Sequence, residues 1–568
     1  MAGKRATSQT SSDLPTEIWE QIVGHFTLWH GEERYSFYGH IPDPWVHEEN
    51  RNLQTLKNLC LVSKRFRDIG SIALYDTIHI SRGRPMREDR KGLGCLLRTL
   101  LCNPKLRVKV KHLACDVNLL EMGYDNHPWS TFPRDPELIE RTWHQIVRQD
   151  GLRDIDEVAL KVLSHSPLTD VKGVEYNVTA QAILGAILCL ATNLRTLQLQ
   201  CPQEYTLVSR PPHPPERHSY TILSDIISTA LTDPIINRLA PLGRLHSLRL
   251  LPDKENGRYN PPDPSLDDEA PTSLPGTYWS YVDICPALLE APSLTSIRVG
   301  QLNGGSWRTI PQGLTHFMAA CDSTSVYRGQ RITYEDIRVL LSLPRLKQLR
   351  LYHLSAEVWA NSPPDGDFLN SQLIEHGSKK LESVALTLIN NWNPDLGGPD
   401  RSRLGGAFGP TFHLHCFSEF SVLRELDIQL FALIGSWKNL KTLRLETKLP
   451  PSLRKLALRE LLWKGEADGP LEFGNTPGEK TEYMQDLQHM FIRFAGSFET
   501  RCPNLTLVKW YQSLSLPNRD LKAVVGELFA GKGVEFWQWY DGWFDLSPTG
   551  LRIDLNMETE SALQQLGA

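Results

Sequence analysis

The sequence predicts an α/β chain: a short three-helix unit first, then an irregular run of strand–helix repeats on a curved parallel sheet. Three observations predict it. Apolar residues between Ile18 and Leu74 recur at helical spacing. From Leu194 onward the text L-x-x-L-x-L returns repeatedly. Stretches rich in Pro, Gly and Asp separate the copies and read as loops.

Residues 1–12 are small, polar and lightly basic, and are expected to be disordered. Asp13 is placed to cap a first helix, with Pro15 in its first turn, where a missing N–H costs nothing. Ile18, Trp19, Ile22, Val23 and Phe26 form one apolar stripe, and Leu53, Leu56, Leu59 and Cys60 a second. Ser63 is placed to cap a third helix carrying Phe66, Ile69, Ala73 and Leu74. Three short amphipathic helices cannot bury this surface among themselves, so the surplus points to a partner. A polar insert at about 27–52 carries Trp29, Tyr35, Phe37, Tyr38 and Trp45, and is expected to fold back on the helices or the first repeats.

Residues 13–80 resemble an F-box. The resemblance rests on Leu14-Pro15 with Glu17 and Ile18, on Ile22, and on Leu59-Cys60-Leu61-Val62-Ser63-Lys64-Arg65-Phe66. It matches the family's Leu-Pro-x-Glu opening and its Leu-x-x-Val-Ser/Cys-Lys-x-Trp/Phe ending, while the insert is much longer than the family's link. The run through Leu74-Tyr75-Asp76-Thr77-Ile78 resembles the way fungal F-box proteins leave the motif. The resemblance implies contact with a Skp-type adaptor at Leu14, Pro15, Ile18, Ile22, Leu56, Leu59, Val62 and Phe66. Some of these must form the core instead.

Residues 92–514 carry the repeats. Copies begin at Leu194, Leu245, Leu294, Leu346, Leu381, Leu423, Leu440 and Leu453, with a weaker one at Leu505 and an earlier candidate around Leu113. A short strand puts alternate residues inward, a helix returns the chain, and each unit buries its apolar face against its neighbours. The copies resemble leucine-rich repeats, though most are spaced wider than the roughly 20–30 residues of that family. Those at Leu423, Leu440 and Leu453 sit much closer together. The loops are read at Pro202–Arg217, Pro252–Gly276, Asn361–Asp367 and Asn391–Pro410. Residues 515–568 read as a C-terminal aromatic cap, with a helix over Leu521–Phe529 and then Phe536, Trp537, Trp539, Tyr540, Trp543 and Phe544.

In each copy the residue between the last two apolar positions faces the concave side. Those residues include Arg249, Arg298, Arg350 and Arg444. Like charges on adjacent strands repel. The first three stand on consecutive readable strands, and all four are read as binding an acidic or phosphorylated protein substrate through guanidinium forks.

Composition excludes other classes. The chain has 568 residues and a net charge of -5, which argues against nucleic acid as partner. Its cysteines form no C-x-x-C pair and read as buried reduced thiols. No apolar run is long enough to cross a membrane and no signal-peptide core is present, so the expected location is intracellular, in cytoplasm or nucleus. Gly92-Leu-Gly94 is isolated, and His413 and His415 lack a neighbouring carboxylate. Asp267-Asp268-Glu269 reads as a solvated turn. No catalytic, metal or cofactor-binding residue is expected, and no cofactor.

Together the two resemblances imply a substrate-recognition subunit of an SCF-type E3 ubiquitin ligase. The F-box would dock on a Skp-type adaptor, and through it on a cullin and a RING subunit, while the repeats hold the substrate. Such a receptor is not an enzyme; it acts by proximity. The alternative is a leucine-rich-repeat interaction scaffold acting outside a ubiquitin ligase.

Overall fold

The structure is a computed structural model. It describes residues 15–26, 43–80, 103–115, 184–201, 221–232, 242–252, 286–299, 310–320, 334–355, 366–389, 413–435, 437–460, 477–513 and 521–541, with single positions at 93–100 and at Ala240. The N-terminal segment, Leu14, insert residues 27–42, nearly all of the four loops, Asp267–Glu269, and residues 542–568 lie outside the described residues. Among the described residues twelve strands form a parallel sheet whose order is the order of the chain, β1 to β12. Contacts divide the chain into two compact units, one of residues 1–200, 220–248 and 291–293, the other of the remainder.

The first unit opens with α1 (Thr16–Gly24), α2 (Asp43–Val62) and α3 (Lys64–Asp76). Pro15 stands at the N-cap of α1 rather than inside its first turn, and its carbonyl accepts the amides of Ile18 and Trp19. A cap position tolerates proline because its N–H has no intrahelical partner. α2 begins at Asp43, so the helix reaches back into the polar insert. Ser63 is extended, and its Oγ accepts the amide of Phe66 at 3.2 Å, capping α3 as its sequence predicts. Val23, Leu56, Ile69 and Ala73 form the core of the helices, with Trp19, Phe26, Leu59 and Leu74 packed around it.

α2 and α3 approach each other closely at Gly70. A Cβ there would meet Cys60 Sγ at 2.7 Å and the Leu56 carbonyl at 3.6 Å. α3 then runs directly into β1 (Thr77–Ile80), which pairs with β2 (His112–Cys115), and β2 pairs with β3 (Thr196–Cys201). α4 (Thr221–Thr232) buries Leu223, Ile226, Ile227 and Ala230, and the unit ends in the first residues of β4 (Ser247–Pro252).

The second unit carries the rest of β4, then β5 (Ser296–Val299), β6 (His316–Ala320), α5 (Tyr334–Ser342), β7 (Gln348–Ser355), α6 (Gly366–Gly377) and β8 (Ser383–Ile389). It continues with β9 (Glu425–Gln429), β10 (Lys455–Arg459), α7 (Pro477–Ser497), β11 (Leu507–Ser513), α8 (Leu521–Ala530) and β12 (Glu535–Asp541). The apolar pair of each L-x-x-L-x-L copy points inward and is buried, as with Leu349 and Leu351, Leu426 and Ile428, and Leu456 and Leu458.

Three expectations about the repeats are corrected. β6 is a strand that the leucine pattern misses, because Phe317 and Ala319 occupy its inward positions. The copy at Leu440 is not a strand. Residues Trp437–Lys441 and Leu445–Lys448 form 3-10 turns, and β9 pairs directly with β10. A parallel crossover needs about a dozen residues or more, and three strands cannot fit into copies so closely spaced. Finally, the aromatic segment read as a cap is itself a strand: β12 pairs in parallel with β11. Phe536 packs inward against Phe491 and stacks on Phe529 at 5.5 Å between ring centres.

Replacing Gly70 by leucine forces α2 and α3 apart. The expected cost is about 1–3 kcal/mol, seen as faster amide hydrogen exchange over 53–76 with β9–β11 unaffected.

Candidate functional site

Two surfaces hold the residues that the sequence singles out, one in each unit. In the first unit the helices separate the predicted adaptor residues into two groups. Leu56 is fully buried, Leu59 packs against the core, and Phe66 sits half-buried with its ring edge-on to Trp19 at 4.7 Å. These three hold the helices together. Pro15, Ile18, Ile22 and Val62 stay exposed, Ile18 at 39%, Ile22 at 37% and Val62 at 67%.

Leu61, which the sequence reading leaves out, is 79% exposed beside Val62. Helical spacing from Leu56 could have found it: one helical residue turns by about 100°, so positions 61 and 62 fall on the far side from 56 and 60. Arg65 donates from Nη2 to Thr16 Oγ1 at 3.3 Å. The α2–α3 junction therefore lies against the first turn of α1.

In the second unit the outward face of the sheet carries the predicted substrate residues. Arg298 and Arg350 are not on neighbouring strands; both are in register with Met318 of β6. Arg249 on β4 is 2% exposed, so its guanidinium does not lie open to solvent. Arg350 reaches Glu425 Oε2 at 3.3 Å, and Lys455 reaches Glu425 Oε1 at 2.8 Å. Arg444 lies at the start of a 3-10 turn, not on the sheet face.

The charges on the last strands are matched within the chain. Arg459 on β10 grips both oxygens of Asp427 on β9, at 2.7 and 2.8 Å, and lies over the Tyr511 ring at 4.1 Å. Lys509 lies over Trp537 at 5.3 Å, and Trp537 is 36% exposed. Burial pushes the Glu425 carboxyl up, but the hydrogen bond and charge of Lys455, the charge of Arg350 and the Ser383 hydroxyl outweigh it and hold the group below the usual range.

His413 and His415 have ring centres 5.7 Å apart in a loop that Asn370 organises. Asn370 donates to the His413 carbonyl at 2.8 Å and accepts the amides of His415 and Cys416 at 3.0 and 3.2 Å. Among the described residues no group of three His, Cys, Asp or Glu is placed to hold a metal ion. Cys115, Cys189, Cys416 and Cys502 are buried, and none of them forms a disulfide. Burial pushes the Cys189, Cys416 and Cys502 thiols up to about 12, which disfavours the nucleophilic thiolate. No described helix is long and apolar enough to cross a membrane. No protein-family model matches the chain, and no curated protein matches it in sequence.

A carboxyl held low in the folded state stabilises the fold above its unfolded pKa, and that contribution is lost as pH falls through the folded pKa. Glu425→Gln is therefore expected to lower the melting temperature at pH 7. The gap to wild type should close below about pH 4.3, the ordinary glutamate value. Melting curves across pH check this.

Proposed function

We propose that this chain is a substrate receptor of an SCF-type ubiquitin ligase, docking through residues 13–80 on a Skp-type adaptor. The observation that carries the reading is the exposure of Ile18, Ile22, Leu61 and Val62 on helices whose core is already filled by Val23, Leu56, Ile69 and Ala73. Exposed apolar side chains on a small helical unit favour a protein partner. An F-box performs that role by covering the face with an adaptor, and the residue types from Leu59 to Phe66 resemble that family. The remaining strands and helices would then hold a protein substrate near a ubiquitin thioester carried by another subunit. The chain contributes proximity rather than chemistry.

Val62→Asp with Ile22→Asp places charges on the exposed face and leaves the core intact. Co-purification with a Skp-type adaptor is expected to fall by about tenfold or more, the scale of a lost interface hot spot, with no change in melting temperature. Full adaptor binding by this variant, or no adaptor binding by the unaltered chain, rejects the reading.

A further inference from the structure

The cations of the second unit are of two kinds. The first is engaged with carbonyls of the chain itself. Lys380 Nζ donates to the carbonyls of Leu341 and Leu343, Arg493 to Leu440, and Lys532 to Gly496. Such groups satisfy carbonyls left open at helix and turn ends. Burial pushes the Lys380 ammonium below its usual range.

Arg424 and Arg454 are of the second kind. They stand immediately before β9 and β10, and both are exposed. The Arg454 amide donates to the Arg424 carbonyl at 2.8 Å, so the two side chains leave neighbouring strands about 4.8 Å apart. Among the described residues neither forms an ion pair. Lys455 follows Arg454, and Lys347 begins the same row before β7. In this patch Lys347, Arg350, Arg424, Arg454 and Lys455 outnumber the carboxylates Glu382 and Glu425.

Two like charges side by side on adjacent strands weaken the fold. Further along the same strands the arrangement is the reverse: Glu425 meets Lys455, and Asp427 meets Arg459 in a two-oxygen grip. The pairing stops at Arg424 and Arg454.

We propose that Arg424 and Arg454, with Lys455 beside them, dock an acidic peptide segment of a partner protein. Its Asp or Glu carboxylates take the place that Glu425 and Asp427 take for the next cations along. Guanidinium forks match carboxylates with two parallel hydrogen bonds, which makes arginine rather than lysine suited to the centre of the patch. This goes beyond the adaptor reading and does not depend on it.

The test uses the full chain and fluorescence anisotropy with a labelled oligo-glutamate peptide and its oligo-glutamine counterpart. The glutamate peptide is expected to bind, and to bind more weakly as salt rises. Arg424→Glu with Arg454→Glu should weaken it by about tenfold or more, the worth of one charge-assisted hydrogen bond. Arg424→Lys with Arg454→Lys should bind the glutamate peptide more weakly than wild type, since an ammonium cannot form the fork, but more tightly than the charge reversal. Melting curves check folding. If the double reversal melts early, Arg424→Gln with Arg454→Gln is read in its place, with loss of binding again expected. Equal binding of both peptides, or undiminished binding by the charge-altered chains, overturns the proposal. So does capture by phosphatidylserine vesicles, or by a phosphoserine peptide, when the glutamate peptide does not bind. Adaptor co-purification is scored separately, so failure of one reading is distinguishable from failure of the other.

Discussion

A single backbone carbonyl at the entrance of most of the described strands organises the chain. It accepts two successive amides from the unit that follows. In the first unit Lys111 accepts from Arg195 and Thr196, and Arg195 accepts from His246 and Ser247. In the second, Thr295, Thr315, Lys347, Glu382, Arg424 and Arg454 do the same for their successors. Just before each of these residues in the second unit stands a buried Leu: Leu294, Leu314, Leu346, Leu381, Leu423 and Leu453. The leucine anchors the turn and the carbonyl sets the height of the next strand. Parallel register then follows, because each strand starts level with the one before.

That constraint explains why charge collects at the strand entrances. The anchoring leucine must be buried, so the residue after it is turned outward at each unit. In the second unit these outward positions hold Thr295, Thr315, Lys347, Glu382, Arg424, Arg454 and Thr506 in chain order. Lys347 and Glu382 neutralise each other at 2.8 Å. The two arginines that follow stand together with no such neighbour between them, and the row acquires a polarity that the fold itself does not need. The three-helix unit shows the apolar counterpart. Its core is complete with one face of each helix, and the apolar side chains beyond that face remain outside.

Much of this was legible in the residue order. Ser63 announced the start of α3 because a short hydroxyl side chain can take the open amide of Phe66. The leucine spacing located β3, β4, β5 and β7 through β10, since alternation along a strand has a fixed period. β6 was hidden because Phe317 and Ala319 satisfy burial as well as two leucines do. The Leu440 copy misled for the opposite reason: Leu440, Leu443 and Leu445 are buried, but burial alone does not distinguish a strand from a 3-10 turn. The aromatic run at Phe536 was legible as buried surface and not as a strand, because its inward and outward residues are both aromatic.

The sequence by itself determined the class of structure, the Ser63 cap, and which strand positions face inward, for these depend on local spacing and on the backbone's fixed periods. Tertiary structure alone decided which apolar side of α2 becomes core, because Leu56 and Val62 lie on different sides of one helix and nothing local names the side that meets its neighbours. It also decided the fate of the arginines. Arg350 found Glu425 from a strand far along the chain, Arg249 was buried, and Arg424 and Arg454 were brought side by side. Charge pairing between strands depends on register across many residues of intervening chain, and no local pattern carries that information.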